Sequence, residues 1–482
     1  MFNVRVPLAA RDEVFLMNTF TDAQLVVSGD VAALLDRLEA ESRTAAGAGP
    51  ADGGPVLESM LDDTDLEILG ELAEHGFLVE SREQERDALD AFFAEIRNDS
   101  SELRVTLLTT LQCNFACDYC FQGDHGDYNK FAAKMSIEKA GRVADWIDER
   151  LDETGAKTFT LTFFGGEPLL NLPAMYLLAE RAWQAGQARG VEVNLTIITN
   201  GLLLTPEVVD RMLPFGLKGV KITLDGDRET HNRMRPLRGG QGTFDRIVEN
   251  VRKVADKVAI SIGGNFDAES VDSYPALLDF LLEQEFADKL AKVAFKPIIR
   301  EPIPQQAKGI IPLTAVGANS KPLGGTCMTA AGAGASICDT CHFVDEKMSF
   351  LREETQKRGF TTLDGVHMGP CEIHRNHAHT IGPDGALYAC PGFTGEPKLA
   401  IGNISARQES WQATAQEKFD ALAAWKQCGD CAYIPVCAGG CSVASHTELG
   451  DMNVPTCHKS SFDSALISLA HQAASASMET TS

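Results

Sequence analysis

The 482-residue sequence lacks features that mark several broad classes of protein. It has no run of roughly eighteen uninterrupted apolar residues, the length that a membrane-spanning helix requires. Its amino-terminal segment has no basic region leading into an apolar core and a small-residue cleavage site, so we expect no export. Only 43 Lys and Arg stand against 68 Asp and Glu, and the net charge of −25 disfavours nucleic acid or an anionic membrane as partner. We therefore predict a cytoplasmic protein with neither partner.

Thirteen cysteines are the conspicuous feature of this chain. In a reducing cytoplasm, clustered cysteines are better explained by metal binding than by disulfides. They form three groups along the sequence, which are Cys113, Cys117 and Cys120; Cys327, Cys338 and Cys341; and Cys371, Cys390, Cys428, Cys431, Cys437, Cys441 and Cys457. Their spacing is therefore the first guide to function.

From residue 103, apolar strand patterns alternate with amphipathic helix patterns. The strand patterns cover 103–110, 158–164, 191–199, 220–224, 258–266 and 293–298, and helix patterns lie at about 134–151, 172–188, 206–213, 243–254 and 271–284. Six such units imply parallel pairing in a barrel or a doubly wound sheet, where chemistry gathers at the carboxyl ends of the strands. The first cysteine group directly follows the first strand.

The regions that flank this middle part, 101–300, are organised differently. Residues 1–100 indicate a small α+β domain, either a peptide-recognition element or a structural cap. Its predicted elements are a hairpin at 14–20 and 24–28, helices near 30–41, 65–75 and 82–97, and a short strand at 77–80. Residues 301–370 form an irregular bridging region with one helix near 344–358. Residues 371–482 hold seven cysteines in short turns and a final helix near 461–474.

The first cysteine group places three thiolates within eight residues of a loop. Zinc normally takes four ligands, and His125, the nearest candidate for a fourth, fits no standard zinc finger. A [4Fe–4S] cluster held by three cysteines leaves one iron with an open site, where a small molecule can bind. The spacing, with the aromatic Tyr119 just before Cys120, favours such a cluster over structural zinc.

This CxxxCxxC loop resembles that of the radical S-adenosylmethionine (SAM) enzymes. The resemblance implies a partial (β/α)6 barrel, which agrees with the six strand–helix units read from the pattern. It also implies that SAM chelates the open iron through its amino and carboxylate groups. In the family, one electron from the reduced cluster cleaves SAM to methionine and a 5′-deoxyadenosyl radical, which abstracts hydrogen from the substrate. An external donor such as flavodoxin or ferredoxin would supply the electron.

Two further strand ends match the family. The second strand ends in a segment similar to the family's GGEP, made of Gly165, Gly166, Glu167 and Pro168. Glycines allow the backbone to approach a ligand closely, and by the resemblance Glu167 would receive the SAM amino group. Thr199 and Asn200 close the third strand and could serve the ribose, although an ordinary Asn-Gly turn explains them equally well.

The fourth strand ends in Thr-Leu-Asp-Gly, followed by His231 and Arg235. This resembles the S-x-D-G…H-x-x-x-R stretch of the peptide-modifying branch of the family, with Thr223 in place of Ser. By that match Thr223 would bind the ribose and Arg235 the SAM carboxylate, for which the bidentate guanidinium is suited. His231 could equally be an ordinary loop histidine. Tyr119 is the remaining predicted cofactor contact.

The carboxy-terminal cysteines resemble the SPASM domain, which holds two auxiliary [4Fe–4S] clusters, although zinc is a rival for the four closely spaced ones taken alone. The resemblance assigns the outer cluster to Cys428, Cys431, Cys437 and Cys457. It assigns the inner cluster to Cys371, Cys390 and Cys441. For the missing inner ligand we favour Cys338 or Cys341, because a Cys-x-x-Cys pair often converges on one metal. Cys327 or an open iron that binds substrate are the alternatives.

Together these resemblances imply maturation of a ribosomally made precursor peptide, with SAM and three [4Fe–4S] clusters as cofactors. The product would be a thioether or carbon–carbon crosslink, or an oxidised residue. Formylglycine formation, as in the anaerobic sulfatase maturases, is an alternative, but Cys390 is followed by Pro391 where those enzymes have an acidic residue. A non-catalytic electron-transfer protein is a second alternative, against which the three-cysteine loop and the GGEP segment argue. The amino-terminal 100 residues resemble precursor-recognition elements in size and in their succession of strands and helices.

Overall fold

The structure, a computed structural model, describes residues 2–8, 11–47, 61–120, 122, 129–298, 339–363, 366, 370–405 and 413–480. The described strands are β1 (Asn3–Leu8), β2 (Glu13–Asn18), β3 (Gln24–Ser28), β4 (Glu102–Leu108), β5 (Thr158–Phe164), β6 (Glu192–Thr199), β7 (Leu217–Thr223), β8 (Ala259–Phe266), β9 (Leu290–Pro297), β10 (Ala378–Ile381), β11 (Ala386–Tyr388) and β12 (Gly402–Asn403). The described α-helices are α1 (Gly29–Gly47), α2 (Asp63–Glu74), α3 (Arg82–Asn98), α4 (Ile137–Thr154), α5 (Leu172–Arg189), α6 (Pro206–Met212), α7 (Arg228–Met234), α8 (Phe244–Val254), α9 (Tyr274–Leu282), α10 (Asp339–Lys357), α11 (Ala413–Asp420), α12 (Ile434–Cys437), α13 (Ser442–Leu449) and α14 (Lys459–Thr480). None of these helices combines the length and the apolar character needed to cross a membrane.

Strands β4 to β9 form a parallel sheet in chain order, with helices α4 to α9 in the connections. Beyond β4 the same sheet continues through β10, β11 and β12, which are short strands from the carboxy-terminal region. Among the described strands β9 pairs only with β8, so the parallel run does not close into a full barrel. This arrangement confirms the predicted α/β class with its parallel strand–helix units.

The strands are apolar on one face and polar on the other. In β5, Phe159, Leu161 and Phe163 are fully buried in the core that the helices cover. Thr160 and Thr162 point to the opposite face, which we call the inner face, and the hydroxyls of Thr162 and Thr196 lie 2.9 Å apart there. A parallel sheet covered on both faces has continuously apolar strands. The polar inner face is therefore suited to line a substrate site.

The amino-terminal unit is a three-stranded antiparallel sheet, β1–β2–β3, packed on α1 and α2. The predicted hairpin is confirmed as β2 and β3, but β1 was not predicted. Pro7 weakens the strand pattern of β1, and it is tolerated because β1 is an edge strand. The predicted strand at 77–80 is wrong, because Phe77 instead anchors the turn after α2, buried against Leu16, Leu35 and Leu72.

The amino-terminal unit contacts the cysteine-rich region through α3. The ring of Phe93 stacks on Trp425 with centroids 4.6 Å apart. Arg82 and Arg86 both pair with Asp430, Arg86 at 3.0 Å. Cys428 and Cys431 pack against the same apolar cluster. The unit therefore lies directly beside two of the predicted ligands of the outer cluster.

Replacing Phe93 by Ala is expected to lower the stability of the protein by about 3–5 kcal/mol. The ring is 7% exposed and its removal leaves a cavity beside Trp425. Thermal unfolding followed by circular dichroism measures the effect. Phe131→Ala is the matched control, because Phe131 is 76% exposed and its loss should change stability by less than about 0.5 kcal/mol. Equal midpoints for the two variants would contradict the described packing.

Candidate active site at the carboxyl ends of the parallel strands

The first cysteine loop follows β4 and is held by hydrogen bonds on both sides. The Asn129 side chain accepts from the Cys113 N–H at 3.3 Å and donates to the Cys113 carbonyl at 2.8 Å. Arg238 Nε donates to the same carbonyl at 2.9 Å. Phe115 is buried and forms a β-bridge with Leu237. The loop is thus fixed to the segment that follows α7.

The three thiols of this loop lie near one another, with Cys113 and Cys117 partly buried and Cys120 exposed. Burial, together with the charges of Glu167, Cys117 and Cys120, raises the pKa of Cys113 to about 12. Burial also raises the pKa of Cys117 to about 11, although the nearby Arg235 opposes the shift. Cationic iron stabilises thiolates, so cluster loading would release these protons. In the part of the chain that the structure describes, no three Cys, His, Asp or Glu side chains are gathered tightly enough for a single metal ion.

The two glycines of the GGEP segment allow β5 to approach the cysteine loop. Gly165 has φ +134°, and a Cβ there would collide with the Thr110 carbonyl oxygen. A Cβ on Gly166 would collide with the Gln112 carbonyl oxygen. The Gly166 N–H donates to Thr110 O at 3.0 Å. The close approach that the sequence suggested for a ligand is therefore made, in this structure, by the backbone of the cysteine loop.

Glu167 joins this segment to the end of β6. Its carboxylate is fully buried and accepts from the Leu169 N–H at 3.0 Å, the Thr199 hydroxyl at 2.7 Å and the Asn200 N–H at 2.8 Å. Burial raises the pKa of Glu167, and the three donors oppose that shift. Asn200 also donates to the Asn114 side chain at 2.7 Å. Glu167, Thr199 and Asn200 therefore brace the cysteine loop, and Pro168 begins the short 3₁₀ turn that follows.

A buried polar network lies under the cysteine loop and centres on Asp225, just beyond the end of β7. Asp225 is fully buried and accepts from the Tyr119 hydroxyl and from Arg235 Nη1, the latter at 3.5 Å. Its other oxygen accepts from the Asn265 N–H at 2.7 Å. Burial raises the pKa of Tyr119 well above its usual range, so the phenol stays protonated. Thr223 ends β7 on the same edge and is partly exposed.

Arg235 has a buried donor, Nε, that no described residue of this network accepts from. Its Nη1 donates to Tyr119, whereas its Nε is buried without a hydrogen-bond partner among the described residues. An unpaired buried donor is costly, and an incoming acceptor such as a carboxylate would satisfy it. The site therefore fits the predicted SAM carboxylate contact. Asp225 was quoted in the sequence motif without a role, and Asn265 had no sequence signal beyond its place near a strand end.

His231 is a structural residue of this region. Burial lowers the pKa of His231 well below its usual value, so the ring is neutral. Its Nδ1 accepts from the Asp225 N–H at 3.1 Å, which places the ring proton on Nε2, 3.0 Å from the Thr243 hydroxyl. That hydroxyl donates to the Arg235 carbonyl at 2.8 Å. The histidine thus fixes the backbone at both Asp225 and Arg235.

Within each of the two predicted carboxy-terminal sets, some thiols lie near enough for their charges to affect one another. In the set of Cys428, Cys431, Cys437 and Cys457, burial raises the pKa values of the first three, and the charges of neighbouring thiols in the set contribute to the rise. In the other set, burial and then the charges of Cys371 and Cys441 raise the pKa of Cys390 to about 12. Cys327 and Cys338 lie outside the described residues, as does His125, and for Cys341 only the backbone, within α10, is described.

Comparison with known proteins bears on the middle of the chain. Residues 107–280 match the family model described as the Radical SAM superfamily. Fe-coproporphyrin III synthase from Methanosarcina barkeri (strain Fusaro / DSM 804) is 27% identical over 194 residues, 39% of this chain and 42% of the relative. GTP 3′,8-cyclase from Synechococcus sp. (strain WH7803) is 36% identical over 155 residues, 31% of this chain and 41% of the relative. The chain thus spans less than half the length of these two relatives.

Two other comparisons extend over most of the chain. Mycofactocin maturase MftC from Mycolicibacterium smegmatis (strain ATCC 700084 / mc(2)155) is 24% identical over 358 residues, 70% of this chain and 76% of the relative. The solved structure "Native anSMEcpe with bound AdoMet and Cp18Cys peptide" has a TM-score of 0.54 and 16% identity, and the match covers 77% of this chain and 99% of that one. The second likeness concerns the fold alone. Residues 107–280 of the chain therefore form a domain similar to the Radical SAM superfamily.

Proposed function

We propose that the protein is a radical SAM maturase that modifies a ribosomally made peptide. The observation that carries the proposal is the juxtaposition of the Cys113, Cys117 and Cys120 thiols with the buried Arg235 at the carboxyl ends of parallel strands. The bound cluster and SAM would supply one-electron reductive cleavage and a 5′-deoxyadenosyl radical. The electron would come from an external donor such as flavodoxin or ferredoxin.

The chain's own residues would hold and orient these groups. The three loop thiolates would bind the cluster, and Arg235 would donate through Nε to the SAM carboxylate. Asp225 would keep Arg235 in position. Tyr119, just before Cys120, would hold that end of the loop against Arg235. Glu167 would receive the SAM amino group through Oε2, whose partner among the described residues is the Asn200 N–H. Thr223 and the Thr199–Asn200 turn would face the ribose.

A peptide substrate is supported by two of the comparisons. The MftC relative, whose name describes a maturase, matches over 70% of this chain. The anSMEcpe structure with the same fold contains a Cp18Cys peptide. In the amino-terminal unit, β3 pairs only with β2 among the described strands, so its outer edge can accept a peptide strand. We propose this unit, residues 1–100, as the element that binds the precursor, and a crosslink or an oxidised residue as the product.

Formylglycine formation is the less favoured activity. The residues after Cys390 form a 3₁₀ turn, Pro391–Phe393, with no carboxylate at the position that would supply the base. The set of thiols also disfavours a pure electron carrier, because in a carrier every iron of each cluster would have a cysteine ligand. The first loop offers three cysteines to its cluster, and Arg235 beside it has a buried Nε without a hydrogen-bond partner among the described residues.

We further propose that the carboxy-terminal region, residues 371–482, holds two auxiliary [4Fe–4S] clusters. The set of Cys428, Cys431, Cys437 and Cys457 would hold the outer one. The set of Cys371, Cys390 and Cys441 would hold the inner one, with Cys338 or Cys341 as the fourth ligand. Such clusters could accept the electron released when a substrate radical is oxidised.

The variants Cys437→Ala and Cys390→Ala should each lack one auxiliary cluster, which is about four of roughly twelve iron atoms. The variants would be reconstituted anaerobically and compared by iron content and Mössbauer spectra. The SAM-dependent change in the electron paramagnetic resonance signal should persist, since neither residue belongs to the first loop. Cys338→Ala and Cys341→Ala test the fourth inner ligand in the same way. Full iron content with unchanged auxiliary spectra in Cys437→Ala would contradict the outer ligand set.

Coexpression with short peptides encoded beside the gene tests the peptide-maturase proposal. Mass spectrometry should detect a peptide that has lost two hydrogens, as a crosslink or an oxidised residue requires. The Cys117→Ala variant is the control and should leave the same peptide unmodified. If every peptide keeps its mass while the protein cleaves SAM, the substrate is not one of these peptides and the maturase proposal fails.

A further inference from the structure

Three lysines share the inner face of the parallel sheet. Lys221 on β7 is level with Ser261 on β8, which is level with Lys292 on β9. Lys296 lies further along β9, level with Asn265. The alternate residues of β7 and β9, such as Val220 and Phe295, are buried on the opposite face. The three ammonium groups therefore belong to one side of the sheet, across three neighbouring strands.

Small residues make room between these lysines. A Cβ on Gly263 would lie 2.8 Å from Cε of Lys221, so the lysine stem crosses β8 directly above that glycine. Gly263 is level with Ala294 on β9. A larger side chain at 263 would force Lys221 away from β9. The absence of a side chain on Gly263 thus lets Lys221 extend across β8 toward Ala294 of β9.

No carboxylate compensates the three charges within the described part of the chain. Other lysines there do find acidic partners, as Lys218 does with Glu192 at 3.6 Å and Lys257 with Asp210 at 2.8 Å. Burial lowers the pKa of Lys221, and the charges of Lys296 and Lys292 lower it further. A bound anion would relieve the mutual repulsion.

Lys221 and Lys296 border the candidate SAM site. Asn265, level with Lys296, donates to the Tyr119 hydroxyl and to Asp225, both at 3.3 Å. Thr223, a predicted SAM contact, follows Lys221 by two residues and shares its face. Substrates of such folds bind at this end of the strands. An anion held by the lysines would therefore lie next to the reacting groups.

We propose that Lys221, Lys292 and Lys296 bind a carboxylate of the peptide substrate and so position the modified residue. The inference rests on the proposed peptide-maturase function. The carboxylate would belong either to an Asp or Glu side chain or to the peptide carboxyl terminus. Lysine ammonium groups suit either source, because they act as point charges without a fixed geometry.

Isothermal titration of the anaerobically reconstituted holoenzyme with SAM present tests the proposal. The probes are three hexapeptides, namely an acetylated and amidated peptide with two Glu, its Gln counterpart, and the Gln peptide with a free carboxyl terminus. The Glu peptide or the free-terminus peptide should bind at least about tenfold more tightly than the blocked Gln peptide. Tighter binding of the Glu peptide would identify a side-chain carboxylate, and tighter binding of the free-terminus peptide would identify the carboxyl terminus. Equal affinity for all three peptides would overturn the proposal.

In the double variant Lys221→Met, Lys296→Met, the affinity for the favoured peptide should fall to that for the blocked Gln peptide. Lys218→Met is the matched control on β7, because Lys218 is exposed and paired with Glu192, and it should keep the preference. Iron content and circular dichroism verify that both variants fold. Weaker SAM binding with unchanged peptide binding in the double variant would assign the lysines to SAM and overturn the proposal. Failure of the wild type to form 5′-deoxyadenosine would instead refute the proposed function itself.

Discussion

Replacing Cys113, Cys117 and Cys120 together by Ala is expected to abolish 5′-deoxyadenosine formation and to leave the auxiliary iron in place. The charges of Cys117 and Cys120 raise the pKa of Cys113, so these thiols lie near one another, and the carboxy-terminal thiols affect one another in two separate sets. Removing the first set should therefore cost about four of roughly twelve iron atoms. Without that cluster no electron can reach SAM.

Chromatography of the reaction products and an iron assay on the same samples measure this effect. Phe131→Ala, an exposed change close to the loop, is the control and should retain both activity and iron. Activity in the triple variant would refute the assignment of the loop. Loss of all iron would instead show that the three thiol sets do not load independently.

Replacing Asp225 by Ala is expected to destabilise the protein by about 3–5 kcal/mol and to weaken SAM binding. The change leaves the Arg235 charge without its carboxylate in a fully buried network, and such uncompensated charges are costly. It also removes an acceptor from the Tyr119 hydroxyl and from the Asn265 N–H. The cysteine loop would lose the hydrogen bond that joins its Tyr119 to Asp225.

Thermal unfolding of the apoprotein and titration of the reconstituted protein with SAM measure the two effects separately. Asp245→Ala is the matched control, because Asp245 pairs with Arg228 at 2.9 Å on the surface and should contribute at most about 1 kcal/mol. Asp225→Asn keeps a hydrogen-bond acceptor, and its stability should lie between those of Asp225→Ala and Asp245→Ala. If Asp225→Ala proved as stable as Asp245→Ala, the buried network would not support the loop.

The parallel sheet could be predicted from the sequence because its strands are long and alternate regularly. The pattern at 158–164 matches β5 residue for residue, since Phe159, Leu161 and Phe163 must face the helices. Strands β10 to β12 could not be predicted, because they are two to four residues long and are defined by their pairing with β4 and with one another. Periodicity carries no signal at that length.

The candidate site was predictable in its residue types and not in its contacts. The loop, the GGEP segment and Arg235 are readable because each lies at a strand end or in a spaced motif. The contact between Tyr119 and Asp225 joins residues that are 106 positions apart, and only the fold brings them together. The same holds for the three lysines of the inner face, which lie on separate strands and form no motif in the sequence.

Reductive cleavage of SAM is the central claim, and one anaerobic assay tests it most directly. Protein reconstituted with iron and sulfide is reduced with dithionite and incubated with SAM, and the nucleoside products are separated by chromatography. Formation of 5′-deoxyadenosine by the wild type, and none by the Cys113, Cys117 and Cys120 triple variant, is the predicted result. Absence of 5′-deoxyadenosine from wild-type protein whose reduced cluster is intact by electron paramagnetic resonance would contradict the claim.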